Sequence, residues 1–265
     1  MRLHRPCVSA TAAVVVSALG IAAYHLIPEG NPAPAPGAAT VVQDPAAPAA
    51  GQREATPVKP RTTVAARPEV PARLPGIGSR TLARIPAATR QVVLVTGAAR
   101  NSASSKVVLY ERVDDGWRPG AVWAVHNGYR GWTDRHYAGD LRCPIGVFGL
   151  TDAGGRLADP GTRLPYHRSG AFTVSGPGFE GESLAGSFDY VIAINYNRQP
   201  GTSPMDGTKP MGASRGGGIW IHVDHGGPTH ACVSLPKTHM KQLLQALDPA
   251  AHPVVVMGDA DSLAR

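Results

Sequence analysis

The sequence predicts a mostly-β domain with one main helix, reached through an export segment and a proline-rich spacer. Three observations predict it. From Gln91 onward, short runs of branched aliphatic and aromatic residues alternate with glycine- and proline-rich turns. Convincing helical spacing occurs once, at Met240, Leu243, Leu244 and Leu247. Residues 28–75 carry eleven prolines and almost no large apolar side chains, so they cannot bury enough surface to fold.

In chain order, Arg2, His4 and Arg5 precede an uncharged Ala/Val-rich run from Cys7 to about Ile27. A positive segment before an apolar one is the pattern of an export signal. At about 20 apolar residues it is also long enough to be a single membrane anchor. Residues 1–27 are therefore expected to export the chain, and any membrane contact is expected only there. Residues 28–90 are expected to be a disordered, basic Pro/Ala-rich linker, with 76–90 a frayed lead-in to the domain at 91–258. At about 3 Å per residue such a spacer reaches over roughly 100 Å.

Within the domain, Val92 to Thr96 and Lys106 to Arg112 read as strands, and Asp114-Asp115-Gly116 as a hairpin turn leading to Trp117. Further strands are expected at Ala121 to Val125, Gly146 to Leu150, Ala171 to Val174, Tyr190 to Tyr196, Ile219 to Val223 and Val254 to Met257. Pro236 introduces the helix and Asp248-Pro249 ends it.

Charge excludes one class of partner. The chain has a formal charge of +7, but residues 1–90 hold ten Lys/Arg against four Asp/Glu, and residues 91–265 hold sixteen against fifteen. A nucleic-acid-binding domain carries its own basic face; here the basic excess lies in the linker, so no nucleic acid is expected as a partner. Of the three cysteines, Cys7 lies in the leader, which leaves Cys143 and Cys232. That is too few for a disulfide framework and points to a lone functional thiol.

The chemistry concentrates in Ile219 to Pro236, where His222, His225, His230 and Cys232 fall within eleven residues around Gly226-Gly227-Pro228. The turn reads as a tight reversal that brings a histidine on one arm beside a cysteine on the other. A thiol nucleophile needs that arrangement, with rigid backbone N–H groups near the sulfur. Three other readings compete. The histidines could be structural and Cys232 a small buried hydrophobe. The four side chains are permissible zinc ligands, although the H-x2-H-x4-H-x-C spacing fits no common structural zinc pattern. A cysteine-protease-like hydrolase would use the same Cys/His pair, and local spacing alone does not separate it.

Thr229-His230-Ala231-Cys232-Val233-Ser234 resembles the (S/T)-H-G-C-V-(N/S) signature of the L,D-transpeptidase catalytic domain, with His222 as the upstream histidine. Gly139-Asp140-Leu141-Arg142-Cys143-Pro144-Ile145-Gly146-Val147-Phe148 is similar to that family's GD-x-(R/K)-TPxGxF segment. Leu164 to His167 and Phe188 to Asn197 also resemble family segments, so the likeness spans about 91–258. The resemblance implies a β-sandwich-like catalytic fold and peptidoglycan cross-linking without a cofactor or metal. Such enzymes cleave between the diamino acid and the terminal D-Ala of a stem tetrapeptide, hold a thioester, and pass it to an acceptor amine. It implies Cys232 as nucleophile and His222 as base, with the Val223 carbonyl orienting the imidazole. Backbone N–H groups around Ala231 and Cys232 would hold the oxyanion, His230 would line that hole or donate a proton, and Thr229 and Ser234 would be supports. Peptidoglycan stem peptides are the implied partners and carbapenem-type β-lactams the implied inhibitors; the expectation is an extracytoplasmic, wall-associated monomer. Three departures stand out: the ten-residue interval from His222 to Cys232 is short, Ala231 replaces glycine, and Cys143 replaces threonine.

Overall fold

The computed structural model describes residues 70–114 and 116–265. The expected export segment, most of the linker and Asp115 lie outside the described residues. Among the described residues, twelve strands and three short-to-medium α-helices follow in order. They are α1 (Ser79–Leu82), β1 (Gln91–Gly97), β2 (Ser104–Val113), β3 (Gly116–His126), β4 (Trp132–Thr133) and β5 (Cys143–Pro144). Then come β6 (Gly146–Gly149), β7 (Ala153–Gly155), β8 (Tyr166–Arg168), β9 (Val191–Ala193), β10 (Trp220–Val223) and β11 (Val233–Leu235). The chain closes with α2 (Lys237–Ala246), β12 (Val254–Asp259) and α3 (Ala260–Leu263).

The domain is mostly β, as expected. Ten strands form one curled sheet in the order β6-β12-β1-β2-β3-β11-β10-β9-β7-β8, and β4 and β5 form a separate parallel pair. One end is long and regular. Val92 to Val95 and Val254 to Met257 pair in parallel, and β1 to β3 form an antiparallel meander with one irregularity between Val108 and Tyr110. The other end is built from strands of three or four residues, joined to the first through a single pair, Ser234 with His126.

The two faces of the regular end explain where the chain begins to order. Val93, Val95, Val107 and Leu109 point into the main core, with Ile192, Ile221, Val233 and the Met240, Leu243, Leu244 face of α2. Their strand neighbours Val92, Leu94, Val108 and Tyr110 point the other way and meet Leu74, Trp117 and Leu263. Alternate side chains of a strand face opposite sides, and both sides here are apolar, so a second layer must cover the outer one. Residues 70–90 supply it, which corrects the expectation that they are linker. Leu74 is 2 % exposed, the Trp117 N–H donates to the Pro71 carbonyl (2.9 Å), and the Gly78 N–H donates to the Leu263 carbonyl (2.9 Å). The ordered chain likewise runs past residue 258, into α3.

Two other expectations change. Ala171 to Val174 forms no strand; Phe172 is buried without a ladder, against Trp220. Residues 224–232 do not make a tight hairpin. β10 and β11 run parallel, with Ile221 opposite Val233 and His222 opposite Ser234, so the nine-residue connection crosses back along the sheet. The Asp224 carboxylate fixes its start: it accepts from His126 Nδ1 (2.8 Å), Ser234 Oγ (2.6 Å) and the Gly226 N–H (3.2 Å).

Candidate active site

The parallel register determines what can meet. Continuing the pairing one residue back from Val233 sets Cys232 opposite Trp220, and the Trp220 N–H reaches Cys232 Sγ at 3.4 Å. Residues 220 and 222 share one face of β10, so Cys232 and His222 are diagonal neighbours on that face. No hydrogen bond joins them: the sulfur's other partner is the Gly218 carbonyl, to which the thiol donates at 3.7 Å. The expected direct base–thiol contact is therefore absent from the resting site.

His222 is 3 % exposed, and its Nδ1 lies 2.9 Å from the Val223 carbonyl. A carbonyl only accepts, so Nδ1 carries the proton and Nε2 keeps its lone pair, the tautomer a general base needs. Burial pulls the imidazole down to about 4, although the Val223 carbonyl opposes the shift. Burial pushes the Cys232 thiol up to about 11, partly offset by the Trp220 N–H. Both groups are thus neutral at pH 7, and the resting site holds no thiolate–imidazolium pair.

The peptide that carries the Cys232 thiol is held firmly. The Cys232 carbonyl accepts from Thr229 Oγ1 (2.6 Å) and from Cys143 Sγ (3.2 Å), and Cys143 Sγ in turn accepts from the Gly128 N–H (3.1 Å). Cys143 is fully buried, and burial lifts its thiol well above the ordinary value; it stays protonated and can donate. A threonine hydroxyl would make the same bond, so this departure keeps the donor. Among the described residues, the backbone N–H groups of His230, Ala231 and Cys232 donate to no protein acceptor, which leaves them free for an anionic oxygen.

The remaining expected residues divide. Ala231 is buried and Ser234 fully so, the latter tied to Asp224 rather than to the thiol. His230 is exposed and packs on Phe179 with ring centroids 4.8 Å apart. His230, Ala231 and Cys232 line a cavity of about 250 Å³, together with His136, Lys209 and Gly216–Gly218. A larger cavity of about 590 Å³, between Leu74, Arg112, Trp117 and His252, lies among the lead-in residues and has no thiol; the Cys232 thiol, the neighbouring His222 imidazole and the free amides make the smaller one the candidate site.

Several side chains at this site were not anticipated. His136 is buried, with Nδ1 2.9 Å from Asp140 Oδ1. Its four-residue spacing to Asp140 in the quoted GD segment was the available signal. His225 is not at a solvent-facing turn: its imidazole is 4 % exposed, stacks on His222 and donates to Glu182. The four histidine and cysteine side chains do not converge on a point, and no group of three or more His, Cys, Asp or Glu among the described residues could hold a metal ion.

No protein-family model matches the chain, and no curated protein is similar to it. Among solved structures, the structure of Bdellovibrio bacteriovorus Bd1075 is similar over 70% of this chain and 53% of that one, with 18% identity and a TM-score of 0.39. The chain therefore spans about half of that protein's length, and a likeness this weak carries no argument for fold or activity.

Proposed function

We propose that the chain is a peptidoglycan L,D-transpeptidase with an L,D-transpeptidase-like β-sandwich domain, in which Cys232 is the nucleophile and His222 its base. The observation that carries this reading is the contact of His222 Nδ1 with the Val223 carbonyl, 2.9 Å away, which assigns the proton to Nδ1. That bond leaves Nε2 free to accept a proton on the face of the sheet that Cys232 shares. A thiol at about 11 is only about one part in 10⁴ ionised at pH 7, so the sulfur cannot attack unaided. Contacts of this kind are often long before substrate arrives and tighten in the complex.

In the reaction, His222 Nε2 takes the thiol proton as Cys232 Sγ bonds to the carbonyl carbon of the diamino acid. The oxyanion sits against the free N–H groups of Ala231 and Cys232. An imidazolium at about 4 is a strong acid and passes its proton to the departing D-Ala nitrogen as the C–N bond breaks. The thioester is then attacked by an acceptor amine, whose proton returns through His222 while the thiol is restored. Among the described residues, Lys209 is the one full cation lining the cavity and no carboxylate lines it, which suits an anionic stem peptide. Water in place of the amine would make the same site a carboxypeptidase.

Incubation with a purified stem tetrapeptide should release D-Ala, and a carbapenem should raise the intact mass by one inhibitor on Cys232. Cys232→Ala should abolish both. His222→Ala should slow acylation by about 10²–10⁴-fold, the scale of losing a general base. Turnover by Cys232→Ala would end the proposal.

A further inference from the structure

His225 and Glu182 are used by no step above, yet they are the most elaborately held groups next to the base. The His225 imidazole lies nearly parallel to that of His222, with centroids 5.9 Å apart and planes 13° apart. Phe188 meets the His222 ring edge-on at 5.5 Å and 88°. The ring is thus confined by His225, by Phe188 and by the Val223 carbonyl.

His225 is itself anchored. Its Nδ1–H donates to Glu182 Oε1 at 3.0 Å, and the two side chains are 4 % and 14 % exposed. The other carboxylate oxygen accepts from the Glu180 N–H at 2.8 Å. Gly178 and Gly227 press on this carboxylate from two sides, and a Cβ on either would collide with it. Neither glycine has a positive φ, so space around the carboxylate, and not backbone conformation, is what demands a missing side chain there.

Glu182 belongs to a loop that closes on itself. The Leu184 N–H donates to the Gly176 carbonyl (3.2 Å) and the Gly178 N–H to the Glu182 carbonyl (2.7 Å). The same loop places Phe179 between Tyr129, stacked at 4.6 Å, and His230 at 4.8 Å. It therefore grips the 224–232 connection twice, behind His222 through Glu182 and His225, and through Phe179 against His230, which lines the cavity.

We propose that His225, held by Glu182, is a positioning residue that fixes the imidazole plane of His222 while Cys232 is deprotonated. This rests on the function proposed above and adds the role of the third histidine. The bond works whether His225 is neutral or protonated, because Nδ1–H donates in both forms.

The test uses the full-length chain and reads Cys232 alkylation by iodoacetamide and acylation by a carbapenem, each over a range of concentrations, with Tm measured alongside. Misplacing a catalytic group by about 1 Å can cost on the order of 10²-fold. His225→Ala and Glu182→Ala should each lower the maximal rate by about 10–100-fold without raising the half-saturating carbapenem concentration. His225→Gln, whose amide N–H can reach the carboxylate, should recover most of the loss. The double alanine variant should lose no more than either single one, as expected of groups acting as a unit. The His222 Nδ1–H resonance should move in His225→Ala. Wild-type rates in the alanine variants, additive losses, or failure of His225→Gln to recover would each overturn the inference. A loss accounted for by the fraction unfolded at the assay temperature, as the measured Tm gives it, would do the same. The His222→Ala arm separates the two proposals: if that variant alkylates normally, the assignment of the base is wrong, whatever His225 does.

Discussion

The β1–β2–β3–β12 end of the sheet and the β7–β9–β10–β11 end are made of different materials. The first is long strands of valine and leucine with apolar layers on both faces. The second has strands of three or four residues, and its loops bury charge. Arg198 and Asp152 pair at 2.8 Å with side chains 5 % and 1 % exposed, and Asp189 takes Arg156 and Lys237 at 2.6 and 2.7 Å. Short strands give little ladder to specify the backbone, so polar pairs do that work. Lys237 ties the start of α2 to the segment that sets Phe188 against His222, and burial of Asp189 is outweighed by those two cations, which hold its carboxyl below the usual range. The lesson is that the candidate site residues sit where geometry is set by long-range polar contacts and not by apolar periodicity.

The largest effect that would break this contrast is on stability. Arg198→Met leaves the Asp152 carboxylate buried without its cation, and removing one member of a buried pair costs about 3–5 kcal/mol. Val256→Ala, at the fully buried centre of the regular end, removes two methyl groups and should cost about 2 kcal/mol. Arg100→Ala removes a pair with Asp134 in which both side chains are about half exposed (47% and 51%), and should cost under about 1 kcal/mol. Denaturant titration of the three variants gives the ranking. If Arg198→Met costs no more than Arg100→Ala, the polar pairs do not hold the irregular end.

A second, smaller effect is tied to pH. The folded protein holds His222 at about 4 against an ordinary 6.5, so the unfolded chain takes up that proton first as the solution is acidified. The stability that neutral His222 contributes is complete above pH 6.5 and is lost as pH falls to about 4, on the order of 3 kcal/mol in all. Burial pulls His136 down as well, and Asp140 only partly opposes it, so it acts in the same direction. The lowered carboxylates, Asp152, Asp189 and Asp224, lose their contribution only below about 3.8, a separate window. Unfolding free energies at pH 7, 5.5 and 4.5 should fall in the wild type and fall less in His222→Gln. A flat wild-type profile across that range would mean that His222 is not held neutral.

The same contrast decides what could be read from the sequence. β1, β2, β12 and α2 were legible because burial there follows local apolar patterns. β7 was not, since Ala153-Gly154-Gly155 has no strand propensity and becomes a strand only by pairing with β8 and β9. Cys232 and His222 were named from a local motif. The parallel course of β10 and β11 was missed because a Gly-Gly-Pro run reads as a reversal. The burial of His225 against Glu182 was not legible because the two lie 43 residues apart, and the donor role of Cys143 was hidden by a separation of 89. Local pattern carries no trace of contacts at such distances.

Ala231 tests how far the motif itself should be trusted. A glycine at this place would be demanded by backbone only if φ were positive, where alanine costs on the order of 1 kcal/mol. Among the described residues, the non-glycine positions with positive φ are Leu141, Asn197 and His252, so alanine is unstrained at 231. Its methyl is buried in the main core cluster with Val233 and Ile221, and Ala231 also lines the cavity beside the thiol. Ala231→Gly should therefore gain nothing: the unfolded chain becomes more flexible, and stability should drop by about 0.5–1 kcal/mol. The carbapenem acylation rate of Cys232 should stay within about twofold of wild type, because the free N–H at 231 is the same group in both. A tenfold faster acylation in the glycine variant would show that the alanine methyl narrows the oxyanion site and that this chain is a slowed version of the arrangement its motif resembles.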